Sequence, residues 1–182
     1  MCSTTGSWIA WSAVASRAAL RVHVEDIRDK PDVFRLTRAR VAAAARRHPA
    51  AARLATLQHG EDVRALVQRL PSIDGLVCSS DVLRDPAFPL ARLAQAAPRL
   101  RWVHVIGAGI ERLLPLDWLH PGLTLTNNSG VHARKMYEYA LMAFTMLNAR
   151  LPAIIGQQSA RRWGAAFTPS CEGRRAVVLG TG

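Results

Sequence analysis

Residues 100–147, LRWVHVIGAGIERLLPLDWLHPGLTLTNNSGVHARKMYEYALMAFTML, decide the fold. They open on residues 101–106, a nearly continuous apolar run interrupted by His104, as in a strand covered on both faces. Gly107-Ala108-Gly109 ends the run. Glu111 follows at what reads as a helix start, where the macrodipole favours a negative charge. Residues 123–126 read as another strand and Asn127-Asn128-Ser129-Gly130 as a turn. Residues 133–150 read as a long helix. Its expected buried stripe is Ala133, Met136 or Tyr137, Ala140, Leu141, Phe144 and Leu147.

The same alternation extends toward the N-terminus. Residues 20–24, 54–57 and 76–78 read as strands, with His59-Gly60 as the turn after the second. Residues 33–47, 63–70 and 90–97 read as helices, with Glu61 and Asp62 in the first turn of the middle one. Strands alternating with helices predict an α/β fold, a parallel sheet with helices on both faces. Ligands of such sheets sit beyond the carboxyl ends of the strands, near a switch in strand order. The loops 79–81, 106–109 and 127–132 meet that condition. Beyond Pro152 a further helix is expected over residues 154–163, then a loop to Gly173. Ala176-Val177-Val178-Leu179 reads as a buried-type strand ahead of Gly180-Thr181-Gly182.

Composition excludes several classes. With 49% hydrophobic and 20% charged residues the chain is globular rather than disordered. It has no uncharged apolar run of about 18 residues, so no membrane-spanning helix is expected. The net charge is +11, but 22 of the 24 basic residues are Arg scattered from Arg17 to Arg175. They form no stripe or binding motif, and specific nucleic-acid binding is not expected. Cys2, Cys78 and Cys171 lack metal spacing and are odd in number, which fits a reducing cytoplasm. The first 18 residues have an apolar centre without a basic start and read as an N-terminal extension rather than a signal peptide.

Gly107-Ala108-Gly109 carries the strongest chemical signal. Small residues let the backbone approach a ligand, and N–H groups at a following helix start would hold a carboxylate or phosphate. A plain strand-to-helix turn accounts for the same residues. Gly180 and Gly182 match the first half of the dinucleotide fingerprint G-x-G-x-x-G. His132 stands before the long helix, either as a donor to a bound anion or as a solvent-facing loop histidine. His23, His48, His59, His104 and His120 show no companions at metal-ligand spacing, so no metal site is expected. Asp81 and Asp117 read as cap or loop residues.

Residues 100–111 (LRWVHVIGAGIE), 123–141 (LTLTNNSGVHARKMYEYAL) and 176–182 (AVVLGTG) together resemble landmarks of the D-isomer-specific 2-hydroxyacid dehydrogenases. The resemblance runs from about residue 76 to the end. It implies an NAD- or NADP-dependent oxidoreductase interconverting 2-keto and D-2-hydroxy acids, with a Rossmann domain inserted into a flavodoxin-like substrate domain. It puts the substrate carboxylate on the N–H groups of Ala108 and Gly109, next to Gly107, and His132 at the same cleft. It makes Gly180 and Gly182 the start of the cofactor's phosphate loop. This chain has Glu111 where Asp is usual, and Arg134-Lys135 and Met136-Tyr137 where the family has a proline and Val-Ala.

The expected domains are an extension over 1–18, a substrate domain over 19–150, an interdomain helix and loop over 151–173, and a truncated Rossmann start over 174–182. The family's catalytic Arg, Glu and His lie past the glycine fingerprint, so no catalytic residue is expected in this chain. Cofactor binding and turnover by the chain alone are not expected either. The family's homodimer interface belongs to the domain that would be missing. The alternative is a non-catalytic flavodoxin-like module for small anions or interactions.

Overall fold

The structure, a computed structural model, describes residues 19–180. The expected extension over residues 1–18 and the fingerprint residue Gly182 lie outside the described residues. The chain forms two compact units that divide between Ser129 and Gly130.

The first unit is built on five parallel strands in the order β2-β1-β3-β4-β5: β1 Leu20–Glu25, β2 Ala55–Gly60, β3 Gly75–Cys78, β4 Trp102–Val105 and β5 Thr124–Asn127. Its helices are α1 Arg38–Arg47, α2 Pro49–Ala52, α3 Val63–Arg69, α4 Ser80–Leu83 and α5 Leu93–Ala96. This is the flavodoxin-like strand order, whose switch lies between β1 and β3. Register assigns the two faces, because partners across parallel ladders point the same way. Leu76, Cys78, Val103 and Val105 share a face and are buried with Leu66 and Leu70 from the α3 side and Val82, Leu83 and Leu93 from α4 and α5. On the opposite face Val22 and Val24 are buried, Trp102, His104 and Thr126 are half-buried, and Leu57 is exposed.

His23 and Glu25 lie on the core face as a buried pair, with Nε2 and Oε2 2.6 Å apart. A side chain at Gly60 would overlap both, so the glycine makes room for the pair. Burial, and next the charge of Glu25, push the Cys78 thiol up, which makes it inert.

Several local expectations are corrected. β2 runs on through His59 and Gly60, which pair with Val24 and Glu25 instead of turning. The helix expected over 33–47 is a 3-10 turn, Asp32–Phe34, followed by α1. Asp26 explains the break. Its Oδ1 accepts from the N–H of Leu36 at 2.8 Å and its Oδ2 from Arg35 at 2.8 Å, pinning the chain in a non-helical path. Thr37 then caps α1. Asp62 caps α3 rather than lying within its first turn. The loop expected at 79–81 starts a helix at Ser80.

The second unit carries α6 Ala133–Asn148 and α7 Leu151–Ser159. Pro152 sits in the first turn of α7, where a missing N–H costs nothing, so the helix starts earlier than expected. The buried stripe expected on α6 is not there. None of its residues is buried, and Met136, Tyr137, Leu141, Phe144 and Leu147 are exposed. The run Ala176-Val177-Val178-Leu179 forms no strand, since it finds no ladder partner among the described residues. Among the described residues no single helix is long and apolar enough to cross a membrane, although α6 and α7, bent by 63°, reach that length and composition as a pair.

Candidate functional site

The loop Gly107-Ala108-Gly109 leaves the carboxyl end of β4 beside the end of β5 and is exposed. Two asparagines at the end of β5 hold it. Asn128 Nδ2 donates to the carbonyl of Ile106 at 2.8 Å and its backbone N–H to that of Gly107 at 3.0 Å. Asn127 Nδ2 donates to the carbonyl of Ala108 at 2.7 Å. In a trans peptide the carbonyl and the following N–H point in opposite directions. Drawing the Gly107 and Ala108 carbonyls toward β5 therefore turns the N–H groups of Ala108 and Gly109 away from it. Neither N–H has an acceptor among the described residues. Two adjacent outward donors are a ready seat for an anion.

The backbone does not require these glycines. Gly130, with φ +84°, is a turn glycine of the usual kind. Gly107 and Gly109 have no positive φ, and a Cβ on Gly107 would meet only the Gly109 carbonyl oxygen, at an ordinary 3.7 Å. The nearest atoms to a Cβ on Gly109 would be those of the exposed Glu111 carboxylate, the movable end of a side chain. The expected helix after the loop is a single 3-10 turn, Glu111–Leu113. The loop's own peptides supply the donors, with no α-helix N-terminus behind them.

His132 belongs to the second unit, as the exposed residue before α6, where its side chain makes no cap bond. Gly180 has φ +80° and open space around it. The residues sequence reading missed are Asn127, Asn128 and His104. The asparagines read as turn formers, and His104 as an interruption in an apolar strand. His104 Nε2 lies 3.1 Å from Asn128 Oδ1, and its Nδ1 lies 2.9 Å from Thr126 Oγ1.

His59 also has companions its spacing did not reveal. Asp26, His59 and Glu61 bring ligand atoms within 4.8 Å of one another at the ends of β1 and β2. Arg35 already supplies a cation there, 2.8 Å from Asp26 and 3.5 Å from Glu61, and its guanidinium is held protonated by the Asp26 bond. His59 Nε2 meets the Leu36 carbonyl at 2.7 Å. The cluster clamps residues 26–36 to the sheet. Beside it a cleft of about 530 Å³ opens at the carboxyl ends of β1 to β3, lined by Ile27, Arg28, Glu61, Asp81 and Asp85 among others.

No family model matches the chain. A curated Streptomyces coelicolor protein, named for its place in the mprR 3' region and described as uncharacterized, is 36% identical over 98 residues, 53% of this chain and 34% of that protein. A crystal structure of a D-isomer specific 2-hydroxyacid dehydrogenase family protein from Aeromonas salmonicida superposes with a TM-score of 0.56 at 20% identity, covering 86% of this chain and 44% of that one. The two share a fold. An NAD-dependent formate dehydrogenase from Staphylococcus aureus, solved with NAD, gives a TM-score of 0.47 at 15% identity over 80% of this chain and 43% of that one. The chain thus spans about a third of the curated relative and under half of these enzymes.

Proposed function

We propose that this chain is the substrate-side part of an NAD(P)-dependent D-2-hydroxyacid dehydrogenase, an enzyme interconverting small 2-keto and D-2-hydroxy acids. One observation carries the reading: Ala108 and Gly109 offer two adjacent unpaired N–H groups in a glycine loop whose conformation does not need glycine. Such a loop suits a ligand that must come within hydrogen-bond reach of the backbone. The shared fold with the Aeromonas salmonicida structure supports it.

In this reading Ala108 and Gly109 bind the substrate carboxylate, and Gly107 leaves the approach open. His132 is assigned to substrate binding by the resemblance. Gly180 and Gly182 begin the phosphate loop of the cofactor, within the 174–182 Rossmann start that follows the 19–150 substrate domain. Bound NAD(H) or NADP(H) would supply the hydride. In this reading the acid/base and carboxylate-clamping roles fall to residues past the glycine fingerprint, as the resemblance implies. The same reading makes the chain alone a binder without turnover and extends to a cytoplasmic homodimer for the complete enzyme.

Titrating ¹⁵N-labelled chain with pyruvate tests the cradle. The amides of Ala108 and Gly109 are expected to shift saturably, and no shift at either would reject it. Steady turnover of pyruvate or glyoxylate with NADH by the chain alone would reject the assignment of catalysis elsewhere.

A further inference from the structure

The direction in which the loop's donors face is set at a distance from them. Four side chains form one polar chain across the β4–β5 pair. Trp102 Nε1 donates to Thr126 Oγ1 at 2.9 Å, Thr126 Oγ1 meets His104 Nδ1 at 2.9 Å, and His104 Nε2 meets Asn128 Oδ1 at 3.1 Å. Asn128 Nδ2 then donates to the Ile106 carbonyl at 2.8 Å.

Donor and acceptor capacity fixes the roles at both ends of this chain. An indole N–H only donates, so Thr126 Oγ1 accepts there. An amide oxygen only accepts, so His104 Nε2 carries the proton. In a neutral imidazole this leaves His104 Nδ1 a lone pair facing the Thr126 hydroxyl, which also lies 3.5 Å from the Val103 carbonyl. The Asn128 amide has one satisfied orientation, oxygen toward His104 and nitrogen toward Ile106. A flipped amide would set its NH₂ against the Nε2–H and its oxygen against a carbonyl. All four side chains are half-buried, where a lost partner is costly.

The geometry points to Asn128, oriented by His104 and Thr126, as the positioning residue of the Gly107–Gly109 anion cradle. It fixes the Ile106 carbonyl through its side chain and the Gly107 carbonyl through its own N–H. Asn127 adds the Ala108 carbonyl. With three successive carbonyls held, the Ala108 and Gly109 N–H groups are aimed before any ligand arrives, and the ordering entropy is not charged to binding. This step rests on the substrate reading for the identity of the anion; the bracing of the loop does not.

The test separates the two. In the unliganded chain, backbone ¹⁵N order parameters at Gly107, Ala108 and Gly109 report the brace. In the liganded chain, the pyruvate dissociation constant reports its use. Asn128→Ala is expected to lower the order parameters of those three residues selectively and to weaken pyruvate about three- to tenfold, the range of one lost hydrogen bond. Thr126→Val, nearly isosteric, is expected to act in the same direction, and Thr126→Ser to restore wild-type behaviour, which a purely space-filling role for Thr126 would not produce. Asn128→Ala with wild-type loop order, or Thr126→Val indistinguishable from wild type in both readouts, overturns the proposal. Should Asn128→Ala fail to fold, the Thr126 pair decides alone. Wild-type protein whose Ala108 and Gly109 amides ignore pyruvate rejects the substrate reading, while the order parameters still decide the brace.

Discussion

Helices α3 and α6 carry similar apolar patterns and meet opposite fates. α3 has seven residues and buries Leu66 completely in the core cluster that also holds Leu76 of β3 and Val103 of β4. α6 has sixteen residues and buries none; Leu141 stays 52% exposed and Leu147 64%. Periodicity shows that a helix has an apolar face, and a surface to cover it must come from elsewhere. In the sheet unit short connections deliver that surface within a few residues, because α2, α3 and α5 each lead into the next strand. Among its described residues the second unit has no sheet, so the same pattern yields helices without a buried residue.

The sharpest way to break this contrast is to truncate both helices. Leu66→Ala should destabilise the sheet unit by about 2–5 kcal/mol through lost burial and a residual cavity. Leu141→Ala should stay within about 0.5 kcal/mol, as at an exposed site. Urea denaturation followed by tryptophan fluorescence measures both, and equal losses would mean that α6 is covered in solution. Next in size comes Gly60→Ala. The new methyl collides with the buried His23–Glu25 pair, so a loss of about 1–3 kcal/mol is expected by the same measurement.

The amino end of β1 and β3 gives a pH test. Burial pushes the Asp74 carboxyl up, but the Arg21 backbone N–H at 2.9 Å and the Arg99 guanidinium at 3.0 Å outweigh it and leave it lowered. A lowered folded-state pKa contributes stability above the unfolded carboxylate value and loses it as pH falls through the folded one. Sheet-unit stability should therefore drop below about pH 4. Asp74→Asn should remove part of that drop while lowering stability at pH 7. A wild-type pH profile that Asp74→Asn reproduces would assign the acid sensitivity to other groups.

The strands and the parallel order of the sheet were legible because hydrophobic runs and Gly/Pro punctuation are local signals. The elements that escaped depend on partners distant in sequence. Residues 33–37 have helical periodicity, yet Asp26 takes the Leu36 N–H and overrides it. His59 and Gly60 look like a turn, yet β1 offers Val24 and Glu25 to pair with. At the site the glycine loop was legible. Its brace was not, because Asn127 and Asn128 act 19 and 22 positions back along the chain on Ala108 and Ile106. No sequence spacing shows a bond that a parallel register creates.

Gly107→Ala should have the smallest effect on stability and is the most informative for function. The sequence left two accounts of this glycine, a tight turn or a ligand's approach, and they differ in what the substitution costs. A turn glycine is held by a conformation that other residues avoid, so alanine would strain the fold. Gly107 has no positive φ, and its missing Cβ has ordinary van der Waals room. Alanine should thus change unfolding free energy by no more than about 0.5 kcal/mol, with a gain possible because it restricts the unfolded chain. The added methyl would project from the exposed loop proposed to hold the anion, so pyruvate-dependent shifts at Ala108 and Gly109 should weaken or vanish. A folded, fully stable Gly107→Ala protein that still binds pyruvate like wild type removes the ligand's approach as the reason for the glycine. A destabilised one restores the turn, and with it the view that the sheet unit is shaped by its own fold right up to the loop's surface.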